Sequence, residues 1–429
     1  MNVIRVTGGK PLAGRVKISG AKNAALAVLA GSVLGRGESV IENVPRIRDV
    51  EIMLEILRSL GAEVSWQEPN AVKVRVPDEV HCCTPYLLAR KLRASNLLLG
   101  SLLGRRGRAE ISLPGGCAIG SRPMDLHLKG LQALGFAACL EHGYIKGQAR
   151  SPQGNHIYLD FPSVGATENI MMAASVVPGV TTIENAAKEP EIVDLANYLN
   201  AMGARIRGAG TDLIKIEGVP SLRGTRYAVI PDRIEAGTFM VAACITGGEV
   251  LIENVIPKHV QPVVAKLREA GARIEEKGDT VHVTAPSRIL PVDIKTLPYP
   301  GFPTDMQSQL MAMLSLAEGT SVIVENVFEN RLQVADELKR MGARIKVEGH
   351  IAVVEGVPEL YGTCVKSTDL RAGAALILAG LAARGVTEVG CAHHIYRGYE
   401  NIIEKFRGLG AEMEAAGEAS EETEDLAGK

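Results

Sequence analysis

The stretch Leu113-Pro114-Gly115-Gly116-Cys117-Ala118-Ile119-Gly120-Ser121-Arg122 sets one thiol close to one guanidinium. A thiol works as an acid or nucleophile when a positive neighbour lowers its pKa, and Arg122 is placed to do that for Cys117. The glycines and Pro114 exclude regular structure, so the stretch reads as a flexible loop that carries a reactive group onto a substrate. The bland alternative is a small buried cysteine in a glycine-rich turn. Other chemistry gathers at helix starts. Six apolar segments, residues 21–34, 91–103, 166–176, 234–245, 304–316 and 370–383, read as core helices. Each has polar or charged residues at or just before its first turn: Lys22 and Asn23, Arg93, Ser163 and Thr167, Arg233 and Glu235, Asp305, then Asp369 and Arg371. Capping explains Thr304 and Asp369. It does not explain lysine or arginine, which oppose the helix dipole there. Several cations at positive helix ends imply a shared anion, such as phosphate or carboxylate.

The elements that must hold these groups repeat. Helices of a second, amphipathic kind end in Leu60-Gly61-Ala62, Met202-Gly203-Ala204, Ala270-Gly271-Ala272, Met341-Gly342-Ala343 and Leu409-Gly410-Ala411, with Leu134-Gly135-Phe136 a looser copy. The spacing is roughly 70 residues, too long for a solenoid unit. Each glycine suits the left-handed position that closes a helix. Upstream of most lies a strand end of the type Ile41-Glu42-Asn43, Ile183-Glu184-Asn185, Ile252-Glu253-Asn254 or Val324-Glu325-Asn326. Six βα units divide into two sets of three, with the boundary near Tyr227-Ala228-Val229-Ile230-Pro231-Asp232. The N-terminal strands have no unit of their own and complete the second set. The reading is a discontinuous domain of residues 1–20 plus 230–414, a second domain of residues 21–229 carrying the Cys117 loop, and an acidic tail, residues 415–429, too poor in large apolar side chains to order.

A chain of 429 residues, 46% hydrophobic, exceeds one ordinary domain. A net charge of −2 gives no case for nucleic acid as a partner. Seven cysteines without CxxC or metal-ligand spacing fit free thiols in a reducing compartment. No signal region follows Met1, and no apolar run reads as a bilayer span. The expectation is a soluble cytoplasmic protein with no membrane association. His393 and His394, adjacent in a strand, would point to opposite sides. Cys82-Cys83 reads as local packing, and no glycine-rich stretch reads as a Walker loop or dinucleotide fingerprint.

Ser19-Gly20-Ala21-Lys22-Asn23-Ala24-Ala25, the Pro-Gly-Gly-Cys loop, Arg122-Pro123-Met124-Asp125-Leu126, Ser163-Val164-Gly165-Ala166-Thr167, Pro231-Asp232-Arg233-Ile234-Glu235, Phe302-Pro303-Thr304-Asp305-Met306-Gln307, Phe328-Glu329-Asn330-Arg331 and Tyr396-Arg397-Gly398-Tyr399-Glu400 occur in this order. Together they closely resemble the UDP-N-acetylglucosamine 1-carboxyvinyltransferases, over roughly residues 3–413. The resemblance implies an α/β (α+β) fold of two inside-out α/β domains, each of three repeated βα units, with the active site in the interdomain cleft. It implies transfer of the enolpyruvyl group of phosphoenolpyruvate to the 3′-hydroxyl of UDP-N-acetylglucosamine with release of phosphate, opening peptidoglycan synthesis. No cofactor and no metal are implied.

By the same resemblance, Cys117 is the proton donor and the thiol that fosfomycin alkylates. Asp305 hydrogen-bonds or deprotonates the sugar hydroxyl. Lys22, Arg122 and Arg397 surround the phosphoenolpyruvate anion and Asn23 orients the intermediate. Arg93, Arg122, Pro123, Met124, Asp125, Leu126, Ser163, Val164, Gly165, Asp305 and Val327 bind the nucleotide sugar. Arg331 and Arg371 read as charge-pairing arginines. Phe161-Pro162 departs from members that carry a lysine before this serine. Two alternatives stand beside this reading. One is 3-phosphoshikimate 1-carboxyvinyltransferase, whose family lacks the cysteine loop. The other is a non-catalytic paralogue that senses sugar nucleotides, against which Lys22, Cys117, Asp305 and Arg397 stand together.

Overall fold

A computed structural model describes residues 2–113, 119, 120 and 123–417; Cys117 and Arg122 lie outside the described residues. Contacts divide the chain into two bodies. One holds the chain up to Ile18, the stretch at residues 119–120 and everything described from Asp232 onward; the other holds residues 19–113 and 123–231.

Each body is built from one unit used three times. A short strand leads to an apolar helix, whose following strand runs parallel to the first. An amphipathic helix and a hairpin then add two antiparallel strands. The unit at the C-terminus shows the pattern. Cys364–Lys366 pairs in parallel with Val386–Gly390, which pairs antiparallel with β1 (Val3–Thr7), which pairs with Glu412–Ala416. The sheet of Arg108–Ser112, Tyr144–Ala149 and Phe136–Glu141 has three strands, with a single parallel bridge from Cys83 to Glu110 in place of the fourth.

The apolar helices are α1 (Lys22–Gly31), α2 (Leu98–Arg106), α3 (Val164–Ala174), α4 (Arg233–Ile245), α5 (Gln307–Leu314) and α6 (Leu370–Ala382). Their alanines and leucines are buried almost all round and form one core in each body. The amphipathic helices lay their apolar faces on the same cores, and the sheets keep their other face exposed. All six close on a glycine with φ between +84° and +108°, at Gly61, Gly135, Gly203, Gly271, Gly342 and Gly410. In the first of these Gly61 N–H donates to Arg58 and Ala62 N–H to Leu57, the paired bonds of a Schellman closure. The asparagine after each Ile/Val-Glu step has its own task. Nδ2 of Asn43, Asn185, Asn254 and Asn326 donates to the carbonyls of Val229, Leu159, Ile18 and Thr296, at 2.8, 2.7, 2.7 and 3.1 Å. Each bond ties a central strand to the segment that leads into a core helix.

In two places a unit spans both bodies in sequence. β2 (Ala13–Lys17) pairs in parallel with Glu249–Glu253, yet its chain continues into α1. Arg226–Ala228 pairs with Gly35–Glu42, yet its chain continues into α4. The second body's two ends meet at a bridge between Gly20 and Pro231. A Cβ at Gly20 would stand 1.7 Å from the Asn43 carbonyl oxygen, so only glycine fits that crossing.

The expected tail is corrected at its start. Ala415 and Ala416 lie opposite Ile4 and Val3 in the last strand, where small apolar side chains fit against the core. Ending the chain at residue 414 removes those rungs. Compared with a chain ending at residue 417, calorimetry is expected to show a melting point about 2–4 °C lower, from roughly 1 kcal/mol of lost hydrogen bonds and packing. Among the described residues no helix is long and apolar enough to cross a membrane.

Candidate functional site

In the second body the residues expected at the site stand at the N-terminal ends of α1, α3 and the helix Asp125–Ala133, and in the turn that leads into α2. Lys22 opens α1 as a nearly buried side chain, with Nζ 3.1 Å from Asp49 Oδ2. Asp49 lies in the first turn of the helix Arg48–Ser59, where a carboxylate is favoured. The lysine that opposes one helix dipole is therefore held by an acid that satisfies another. Asn23, one residue on, is exposed. Arg93 starts the single 3₁₀ turn Arg93–Leu97 that feeds α2. Pro123 and Met124 lead into the helix Asp125–Ala133, which Asp125 opens, and Leu126 packs partly into the core. Ser163 caps α3, its hydroxyl accepting from Ala166 N–H at 3.4 Å, with Val164 and Gly165 in the first turn. Phe161 stands half exposed before that cap, and neighbouring Asp160 pairs with Lys129 at 2.7 Å.

Two residues that the sequence reading missed connect these pieces. Asn169 Oδ1 accepts from Gly100 N–H at 2.6 Å. Its Nδ2 faces the carbonyls of Asn96 and Gly165 and lies 2.9 Å from His127 Nδ1. Nδ1 thus accepts and Nε2 carries the proton. The ring packs so closely on Gly165 that a Cβ there would meet Cε1 at 2.9 Å. Burial, helped by the charge of Arg93, pushes the His127 pKa down to about 4. The only hints in the sequence were one polar residue inside an apolar helix and one histidine continuing the Arg122–Leu126 run. Because the folded pKa lies below the ordinary value, His127 contributes full stability above about pH 6.5, lost as pH falls toward 4. Denaturant titrations are expected to show roughly 2–4 kcal/mol of such loss that His127→Gln lacks.

In the first body, Asp305 sits in the turn Thr304–Met306 ahead of α5. Arg331 Nη2 reaches its Oδ1 at 2.8 Å and Arg371 Nη2 its Oδ2 at 3.1 Å. Both arginine side chains are only 2% exposed, whereas Asp305 keeps 25% of its side chain open. The charge-pairing arginines thus converge on one carboxylate. Thr304 does not cap its helix as expected. Its hydroxyl donates to Glu325 Oε2 at 2.9 Å and accepts from Arg331 Nη1 at 3.1 Å, because a buried carboxylate is the stronger competitor. The other oxygen of Glu325 accepts from the backbone N–H of Val327 and Phe328, fixing Val327 beside the clamp. Asp369 does cap, accepting from Arg371 and Ala372 N–H.

Beneath Arg371 lies a buried polar network. The Tyr399 hydroxyl is 3.0 Å from Thr238 Oγ1 and accepts from Gln309 Nε2 at 3.3 Å, and the guanidinium carbon lies 5.4 Å from the Tyr399 ring. Burial works against the Arg371 charge, but Tyr399, Asp305 and Asp232 outweigh it and hold the guanidinium above its usual range. Burial likewise raises the Tyr399 hydroxyl. Tyr399→Phe is expected to lower kcat about tenfold through misplacement of Arg371 and Asp305, with the KM for the sugar nucleotide changed less than threefold. Equal loss in both constants would point to a merely structural tyrosine.

Arg397 ends the 3₁₀ helix Ala392–Arg397. His393 and His394 belong to that helix rather than to a strand, and their rings meet at a 40° tilt with centroids 4.1 Å apart instead of pointing apart. His394 is lowered by burial, then by His393 and Arg397.

A sequence profile described as EPSP synthase (3-phosphoshikimate 1-carboxyvinyltransferase) matches residues 6–406. A protein of Caldanaerobacter subterraneus subsp. tengcongensis named UDP-N-acetylglucosamine 1-carboxyvinyltransferase 1 is 57% identical over 403 residues, 94% of this chain and 97% of its own. One from Carboxydothermus hydrogenoformans, named UDP-N-acetylglucosamine 1-carboxyvinyltransferase 2, is 57% identical over 411 residues, 95% and 98% of the two chains. Among solved structures, the enolpyruvyl transferase NikO from Streptomyces tendae superposes with a TM-score of 0.86 at 27% identity, covering 96% of this chain and 98% of its own. EPSP synthase from Acinetobacter baumannii shares the fold at a TM-score of 0.74 and 19% identity, covering 97% and 100%. With the profile spanning nearly the whole chain and such relatives beside it, the chain belongs to the enolpyruvyl transferase (EPSP synthase) family, in the branch of the UDP-N-acetylglucosamine 1-carboxyvinyltransferases.

Proposed function

We propose that this enzyme transfers the enolpyruvyl group of phosphoenolpyruvate to the 3′-hydroxyl of UDP-N-acetylglucosamine, releasing phosphate. The observation that carries the reading is the Asp305 clamp. A carboxylate fixed through both oxygens by two buried guanidinium groups, with a quarter of its side chain open, can orient a hydroxyl and accept its proton. Attack of that oxygen on C2 leaves C3 to take a proton, which Cys117 supplies; phosphate then leaves as C3 gives up a proton. Lys22, Arg122 and Arg397 balance the charge of the anion, and Asn23 orients the adduct. Arg93, the run 122–126, Ser163 to Gly165 and Val327 hold the nucleotide sugar. Side-chain cations supply the positive charge this scheme requires. A cytoplasmic location goes with this reading, and the free thiols of the described cysteines support it.

Phosphate release from phosphoenolpyruvate, measured separately with UDP-N-acetylglucosamine and with shikimate 3-phosphate, tests the reading. Release with the sugar nucleotide alone is expected. Release with shikimate 3-phosphate alone would assign the other branch of the family. Tight sugar-nucleotide binding without release would assign a sensing paralogue.

A further inference from the structure

The core helices of the second body carry the site residues at one end and a group of arginines at the other. α2 ends in Arg105 and Arg106, and Arg36 follows the end of α1 by a single turn. Together with Asp78, Glu79 and Ser221 they line a cavity of about 350 Å³. Arg93 and Arg105 stand at opposite ends of one continuous helical segment, roughly 20 Å apart at 1.5–2.0 Å per residue. The cavity is therefore separate from the residues assigned to the reaction.

Arg105 is the informative member. Its side chain is only 8% exposed, yet its contacts are long: 3.4 Å to the Leu34 carbonyl, 3.3 Å to the Pro77 carbonyl and 3.5 Å to Asp78 Oδ1. A guanidinium matched to an anion makes bonds of about 2.7–2.9 Å. Asp78, the carboxylate that Arg105 touches, has a side chain 88% exposed and is a weak counter-charge. Arg106 contacts only the Asp78 carbonyl, at 3.3 Å, among the hydrogen bonds within this group. Burial and the charges of Arg36 and Arg106 all oppose the Arg105 charge. Two arginines answer the negative end of α2, but a third beside them is in excess of that need.

We infer that this cavity is a second anion site, which takes a phosphate group, free or borne by a small metabolite, between Arg36, Arg105 and Arg106. A tetrahedral dianion would give Arg105 the short bidentate partner it lacks and relieve the repulsion among the three guanidinium groups. It would also brace the ends of α1 and α2 against the segment at Asp78.

Equilibrium dialysis of the full chain with radiolabelled inorganic phosphate at fixed ionic strength tests this. Arg36→Gln/Arg106→Gln changes two exposed side chains and leaves Arg105 to hold its carbonyls, so folding is preserved. The double variant is expected to lose one saturable phosphate site, its affinity falling at least about tenfold. Arg397→Ala is expected to keep that site. Phosphate binding by the double variant indistinguishable from the native chain would overturn the inference. So would an Arg397→Ala chain that binds no phosphate. Should Arg397 not be a phosphate ligand, that variant would match the native chain while the double variant still lost its site. The two readings therefore fail independently. Glucose 1-phosphate in place of phosphate, competing with the label at this site, would identify a sugar phosphate as an acceptable occupant; failure to compete would confine it to free phosphate.

Discussion

Asp305→Asn is expected to lower turnover by about three orders of magnitude while the chain still binds UDP-N-acetylglucosamine. The amide keeps the shape of the carboxylate but can neither accept the hydroxyl proton nor balance Arg331 and Arg371. Those arginines lie 2.8 and 3.1 Å from its oxygens and are almost wholly buried. Breaking a buried ion pair on one side typically costs about 3–5 kcal/mol, because the remaining charge is left uncompensated. The variant should therefore also melt several degrees lower, a double effect that an exposed catalytic acid would not show. Single-turnover phosphate release and calorimetry on one preparation measure both. Turnover within tenfold of the native chain would remove Asp305 from the proton path. Unchanged stability would mean that the arginines find another partner.

The second large effect concerns Cys117. Cys117→Ser should be close to inactive, since a hydroxyl of far higher pKa is a poor proton donor to C3. Cys117→Asp should keep substantial activity with its optimum moved toward acid, because desolvation raises a carboxyl pKa and preserves a protonated fraction. Fosfomycin followed by peptide mapping should label Cys117 in the native chain and leave the aspartate variant active. Several competing thiols are poor nucleophiles: burial pushes Cys244 up to about 12, and burial with a nearby glutamate raises Cys83 and Cys364. Full activity in the serine variant, or labelling elsewhere, would take the acid role away from this thiol.

Much of the architecture was legible because it is written locally and six times over. A glycine after each amphipathic helix and an asparagine after four of the central strands have fixed backbone tasks, and the apolar helices announce burial by composition. The polar groups at their starts were legible for the same reason, since a lysine or arginine there contradicts the dipole and demands an explanation. What could not be read was pairing at long range. That Arg331 and Arg371 share Asp305, or that Asn169 joins Gly100 to His127, depends on residues 26 to 69 positions apart, as their bonds record. Thr304 misled because capping is the local default, whereas the winning partner, Glu325, follows a strand later in the chain. The tail was misjudged because two alanines carry little signal until β1 supplies their register.

The position of β1 also sets a timetable during synthesis. Its partners are residues 386–390 and 412–416, so it is made long before either neighbour exists. At typical translation rates of about 5–20 residues per second, that wait is on the order of 20–80 s. Every strand of the second body lies between residues 35 and 228, so that body can close while the first still lacks most of its chain. The apolar Val3, Ile4 and Val6 must stay unpaired through the interval, a nascent edge open to any other extended chain. Substitutions that slow elongation between β1 and those partners would lengthen that exposure without altering a single contact of the finished protein.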